Sequence, residues 1–211
     1  MPRNPILIAM DLEGVLIPEI WIAVAEKTGI EALRLTTRDV SDYDELMRGR
    51  LRILRDNKLT LADIQAVIDT LDPMPGAHAF LESLRARFQV ILLSDTYYEF
   101  ATPLMKKLGW PALFCNFMSV AEDQAIIDYH LRQKDGKRHA VKAFKGLNFE
   151  VVATGDSYND TTMLAEADHG ILFRPSANVK AEFPQFLVAE DYETLGAHIE
   201  VFAGAESGLR R

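Results

Sequence analysis

A chain of 211 residues, 48% of them hydrophobic, can bury one core of ordinary domain size, and its formal net charge of -8 disfavours nucleic acid or an anionic membrane surface as a partner. The single cysteine, Cys115, excludes an internal disulfide and a zinc cluster of thiolates and is expected in the core. The apolar stretch from Pro5 to Met10 is too short for a secretory signal or a membrane span and runs straight into acids, so the cytoplasm is the expected compartment.

The first predicted element is the run Ile6-Leu7-Ile8-Ala9-Met10, a buried strand ended by Asp11-Leu12-Glu13-Gly14. Two acids one residue apart at a strand's carboxyl end start on one face. They repel unless a cation or a shared proton offsets the charge, which points to metal-assisted or general acid/base chemistry. A helix cap or a solvated turn is the competing reading. From Pro18 to Leu71 no strand is evident. Ile20, Trp21, Val24 and Ala25, then Leu46, Leu51, Ile53 and Leu54, then Leu61, Ile64, Val67, Ile68 and Leu71 recur at helical spacing. A helical insertion here would overhang the acids, and Pro73, Pro75 and Gly76 mark the return to the main domain.

A helix around Ala79–Arg85 is followed by the strand Gln89–Leu93 and then Ser94-Asp95-Thr96, whose hydroxyl can hold a phosphate oxygen or can cap a helix beginning near Tyr97. A helix running from Leu104 to Leu108 stops at Gly109. Phe117–Val120 and Ile126–Arg132 read as an antiparallel hairpin, an appendage leading back to the acids. Lys134, Lys137 and Arg138 precede a helix at Ala140–Phe144; one can point at the site, and a basic run is otherwise a solvated face. The strand Val151–Thr154 leads into Gly155-Asp156-Ser157-Tyr158-Asn159-Asp160, which suits oxygen ligation of magnesium or forms an Asx-rich turn. A helix at Met163–Ala165, a strand at Gly170–Phe173 and a frayed tail from Ala203 to Arg211 complete the pattern. Short strands alternating with helices predict an α/β fold, a Rossmann-like doubly wound parallel sheet built from residues 1–17 and 72–211, with a helical segment, 18–71, inserted after the first strand. Three strand ends then converge, bringing Asp11 and Glu13, Ser94, and Asp156 with Asp160 to one place.

In this order and spacing the four clusters resemble the motifs of haloacid-dehalogenase-superfamily phosphatases, the insertion resembling that superfamily's small cap. Within it the chain is similar to phosphoserine phosphatases, whose cap carries an acid and an arginine at positions matched by Glu19 and Arg50. A carboxylate can pair with a substrate ammonium and a guanidinium can grip a carboxylate in a fork, although Glu19 could instead start a helix and Arg50 could be a surface charge. Glu13 stands where these enzymes usually have a second Asp. That departure, with Pro18-Glu19-Ile20-Trp21-Ile22 and Leu131-Arg132-Gln133-Lys134-Asp135, resembles the bifunctional phosphoserine phosphatase/homoserine phosphotransferase branch.

The resemblance implies Asp11 as nucleophile and Glu13 as acid/base, and magnesium held by Asp11, the backbone carbonyl of Glu13 and Asp156, with Asp160 a ligand directly or through water. It implies Ser94, with its neighbour Asp95, and Lys137 rather than Lys134 at the phosphoryl group, with Asn159 touching substrate or supporting its loop. Phosphoserine would be the substrate and homoserine an acceptor besides water, in a monomer or homodimer. The alternatives are a phosphatase of another small phosphomonoester or a non-catalytic phosphate-binding protein of the same fold. The chain has no Gly-x-x-x-x-Gly-Lys-[Ser/Thr] loop, which disfavours a nucleotide-dependent kinase.

Overall fold

The computed structural model describes residues 4–36, 39–40 and 42–204. Seven strands form one sheet in the order β4-β3-β2-β1-β5-β6-β7. They are β1 (Ile6–Met10), β2 (Gln89–Tyr97), β3 (Leu113–Val120), β4 (Ile126–His130), β5 (Glu150–Gly155), β6 (His169–Phe173) and β7 (Leu187–Ala189). All neighbours are parallel except β3 and β4.

Period-two alternation sorts the side chains of the central strands into two cores. Ile8 and Met10 of β1, Leu92 of β2 and Val152 of β5 enter one apolar cluster. Leu7, Ala9, Ile91, Leu93, Val151 and Ala153 enter the other. The first face is covered by α4 (Ala77–Arg85), α5 (Tyr98–Lys107) and α9 (Tyr192–Gly204), the second by α6 (Gly136–Gly146), α7 (Thr161–Glu166) and α8 (Ala177–Glu182). This is the doubly wound arrangement expected, and its topological switch lies between β1 and β5, where such sheets open a crevice.

Between β1 and α4 the chain is helical, with α1 (Ile20–Thr28), a 3-10 turn at Glu31–Arg34, α2 (Tyr43–Asp56) and α3 (Leu61–Asp69). Met47 and Leu54 of α2 and Ile64 and Ile68 of α3 are buried in the same apolar cluster as Ile8 and Met10, each contributing roughly 1.5–3 kcal/mol of burial. Thr60 and Asp63 form a reciprocal capping box that starts α3. Polar contacts then fix α3 on α5. Pro103 inside α5 has no N–H to give to the carbonyl of Glu99, and the side-chain amide of Gln65 donates to that carbonyl instead, at 2.7 Å. Lys107 Nζ donates to the carbonyls of Asp69 and Leu71, past the end of α3, at 2.7 and 2.6 Å.

Several sequence expectations need correction. The hairpin is not an appendage: β3 begins at Leu113, runs parallel to β2 and belongs to the main sheet, with β4 as its edge. Strand β4 stops at His130 rather than Arg132, and β2 continues through the motif Ser94-Asp95-Thr96 to Tyr97. The helix expected at Ala140 begins at Gly136, so Lys137 lies within its first turn rather than before it. Ala203 and Gly204 close α9 instead of fraying; the remainder of the expected tail lies outside the described residues. Cys115 is buried, as expected.

Candidate active site

Because β2, β1 and β5 are adjacent and parallel, the residues that follow their last apolar positions are delivered to one edge. The Asp11 N–H donates to the Thr154 carbonyl at 2.9 Å, which carries the β1–β5 ladder one residue further. Asp11 therefore keeps the alternation of Leu7 and Ala9 and falls on the face covered by α6. That helix brings Lys137 to it.

Lys137 Nζ is buried among three carboxylates, 2.7 Å from Asp160 Oδ1, 2.9 Å from Asp11 Oδ1 and 3.6 Å from Asp95 Oδ2. Burial alone would lower its pKa; Asp11, Asp160 and Asp95 override that and hold it well above the usual range, so the ammonium persists. Asp11 Oδ1 also accepts from the Leu12 N–H at 2.7 Å. Burial, with Asp160 and Asp156 adding repulsion, pushes Asp11 well above an ordinary carboxylate despite Lys137. Lys134 is exposed on the cavity rim, and Arg138 pairs with Asp135 and Glu166.

The turn after β5 is organised by Asp160. It is fully buried, gives one oxygen to Lys137, and accepts with the other from the N–H groups of Asp156 and Ser157 at 3.0 and 3.2 Å. A Cβ on Gly155 would lie 2.3 Å from Asp160 Cγ, so only glycine leaves room for this return of the side chain. Gly14 has φ +75°, and a Cβ there would meet Asp156 Oδ2 at 2.5 Å. The two glycines thus let two acidic loops touch. Oxygens of Asp11, Asp156 and Asp160 lie within 4.8 Å of one another, a hard-oxygen donor set suited to magnesium. Burial and the neighbouring Asp160 and Glu19 raise Asp156 to about 6, a strain that a dication would relieve. Since both oxygens of Asp160 already accept hydrogen bonds, Asp11 and Asp156 are the freer ligands, and Asp160 suits a supporting place behind them.

Glu13 Oε1 accepts from the N–H of Ile20, the first residue of α1, at 2.8 Å. Burial and the nearby Glu19 raise it to about 7, against the pull of that N–H, Lys137 and Arg50. Glu19 stands at the N-cap of α1 without capping it through its side chain. The Ser94 hydroxyl accepts from the Thr96 N–H at 3.2 Å and caps no helix; Tyr97 occupies the cap of α5 and makes no side-chain capping bond. Asn159 donates to Asp95 Oδ2 at 2.9 Å and so supports the loop pairing at the site's edge.

Arg50 is buried, not a surface charge. It shares a cavity of about 540 Å³ with Asp11, Glu13, Glu19, Ser94 and Asp156. The cavity wall also contains Trp21, Tyr43, Tyr97 and Asn116, none of which the sequence assigned to the site. Tyr43 and Tyr97 share a hydrogen bond between their hydroxyls at 2.8 Å. Asn116 donates to the Asp95 carbonyl at 2.9 Å and accepts from the Arg132 N–H at 3.0 Å. Their signal was weak, since aromatic residues at helix or strand spacing read equally well as core.

The model of the haloacid dehalogenase-like hydrolase family matches residues 7–168. Phosphoserine phosphatase from Pseudomonas syringae pv. tomato is 60% identical over 186 residues, 88% of this chain and 78% of that protein. Phosphoserine phosphatase ThrH from Pseudomonas aeruginosa is 59% identical over 186 residues, 88% of this chain and 91% of that protein. Among solved structures, phosphoserine phosphatase from T. onnurineus is 26% identical with a TM-score of 0.68, covering 94% of this chain and 95% of that one. A phospho-aspartyl intermediate analogue of a phosphoserine phosphatase shares the fold at a TM-score of 0.75 and 21% identity, covering 92% and 99%. With its motif acids gathered at the sheet's switch point and this extent of matching sequence, the chain belongs to the haloacid dehalogenase-like hydrolase family.

Proposed function

We propose that the chain is a magnesium-dependent phosphatase of L-phosphoserine that works through an aspartyl-phosphate on Asp11. The observation that carries this reading is the presence, in one cavity, of the buried Asp11–Lys137 pair on the strand side, backed from behind by Asp160, and of Arg50 with Glu19 on the helical side. The first can hold a phosphoryl group and the second an amino acid's carboxylate and ammonium. The names of the relatives at 60% and 59% identity support the same substrate.

In this mechanism Asp11 attacks phosphorus in line as the bond from phosphorus to the serine oxygen breaks, and Glu13 gives that oxygen its proton. Glu13 then takes a proton from water, whose oxygen attacks the phosphoaspartate, freeing phosphate and regenerating Asp11. A group raised to about 7 can serve in both directions near neutral pH. Lys137 and Ser94 face the phosphoryl oxygens. Asp11, the backbone carbonyl of Glu13 and Asp156, with Asp160 behind them, would hold magnesium, which supplies neutralisation of the charge gathered there. The segment 18–71 acts as a cap that reads the amino-acid end, while residues 1–17 and 72–211 carry the chemistry.

Phosphate release from phosphoserine, phosphothreonine and sugar phosphates, with magnesium or chelator, tests this reading. Preference for phosphoserine and loss with chelator are expected; release that ignores the chelator, or that favours a sugar phosphate, contradicts it. We further infer that homoserine replaces water as acceptor, its hydroxyl oxygen taking the phosphoryl group and its proton passing to Glu13. Glutamate carries its carboxylate one methylene further than aspartate, enough to change which acceptor is aligned. Glu13→Asp should shift the partition between phosphate and phosphohomoserine by about tenfold toward water; an unchanged partition overturns that role.

A further inference from the structure

Arg50 poses a physical problem that its place in the cavity does not solve. Its guanidinium is buried, yet among the described residues only one of its five N–H donors meets a strong acceptor, the Leu35 carbonyl at 2.6 Å from Nη2. Among those residues Nη1 reaches only the sulfur of Met47 at 3.6 Å, and Nε is buried without a hydrogen-bond partner. Burial depresses its pKa, as a cation so poorly solvated requires. Beside the charges of Glu13 and Glu19, compensation comes from Trp21, whose ring centroid lies 4.5 Å from the guanidinium carbon, a separation at which a desolvated cation gains substantially from an indole face.

Trp21 is itself fixed. Its ring meets Phe100 edge-on at 5.2 Å, Phe100 meets Tyr97 at 5.9 Å, and the Tyr97 hydroxyl bonds to that of Tyr43, which lies on the same helix as Arg50. The indole is therefore fixed by α5 and, through Phe100, by β2, both outside the inserted segment to which Trp21 and Arg50 belong. A guanidinium held against a fixed ring has already lost much of its rotational freedom, so it gives its remaining N–H groups to a carboxylate at a smaller entropic cost.

We propose that Trp21 is a positioning residue that presets the Arg50 fork and thereby sets the preference of the site for phosphomonoesters bearing a carboxylate. The proposal rests on Arg50 as the carboxylate anchor. The test compares kcat/KM for phosphoserine with that for phosphoethanolamine, which lacks only the carboxylate. Trp21→Leu should lower the ratio of the two by about tenfold, mostly through KM for phosphoserine, and Trp21→Phe, with a weaker but flat ring, should retain part of it. Arg50→Ala should lose the ratio altogether. A ratio kept by Trp21→Leu but lost by Arg50→Ala overturns the proposal alone; a ratio kept by both overturns the carboxylate anchor and the proposal with it.

A second measurement does not depend on the leucine variant folding. The chain has two tryptophans, and the other, Trp110, is exposed in a turn away from the cavity. In a Trp110→Phe protein, where Trp21 alone emits, L-serine should change indole emission and ethanolamine should not. A response to both, or to neither, overturns the proposal.

Discussion

Magnesium should stabilise the protein in a pH-dependent way that Asp156 dictates. Its carboxyl is raised from 3.8 to about 6 by burial and by Asp160 and Glu19, so the folded chain binds this proton more tightly than the unfolded chain does. Metal-free stability therefore falls as pH climbs from about 4 through about 6, then levels off. A gap of about 2.2 pH units at about 1.36 kcal/mol each makes the penalty roughly 3 kcal/mol at neutral pH. A dication bound beside the ionised carboxylate offsets that penalty, but below about pH 6 it must compete with the proton. For a chain of this length, roughly 2–4 °C per kcal/mol converts the effect into about 6–12 °C of melting temperature. Thermal melts at pH 5 and pH 8, with magnesium or with chelator, measure it directly. The gain from magnesium should be much larger at pH 8, and Asp156→Asn without metal should melt above the parent at pH 8 while gaining little from magnesium. Equal gains at both pH values, or a full magnesium response in Asp156→Asn, would refute the reasoning.

Lys137→Met should abolish phosphate release and cost about 3–5 kcal/mol, since it strands Asp11 and Asp160 in the interior without their counter-charge. Adding Asp160→Asn should restore part of that stability in denaturant melts but none of the turnover. Gly14→Ala should weaken magnesium binding by at least about tenfold in calorimetry, because its Cβ would press on the Asp156 carboxylate and its backbone favours glycine. Gln65→Ala leaves the Glu99 carbonyl without the donor that Pro103 cannot provide, and should cost about 1–2 kcal/mol in urea melts with no change in KM.

The central strands were legible because parallel strands buried on both faces must be apolar at every position, as Ile6 to Met10 and Val151 to Thr154 are. Chemistry was legible at their ends because a cap or a turn explains any one such cluster of acids or serine, whereas three of them following buried strands of one sheet are better explained by a shared site. Strand β7, only Leu187–Ala189, was invisible because three residues cannot show a period. The full length of β3 was hidden because polar Asn116 and exposed Phe114 and Phe117 interrupt the pattern, their constraints coming from a neighbouring loop and rings. Trp21, Tyr43 and Tyr97 were not assigned to the site for a related reason: one-dimensional spacing cannot tell a ring facing the core from a ring facing the cavity. The place of Lys137 was expected from resemblance. Its helix phase explains it, since the first turn of α6 aims that position at Asp11 while Arg138 turns outward to Asp135 and Glu166.

The hydrogen bond from the Ile20 N–H to Glu13 ties the inserted helices to the ionisation of that carboxyl group. An ionised carboxylate accepts from the first turn of a helix more strongly than a neutral carboxyl does, so α1 is anchored most firmly when Glu13 has given its proton away and least firmly when it holds one. By thermodynamic reciprocity, whatever holds α1 in place also favours loss of that proton. If Glu13 is the acid/base of the proposed mechanism, this bond couples it to the helical segment, so that the strength with which α1 is anchored follows the charge of one carboxyl group.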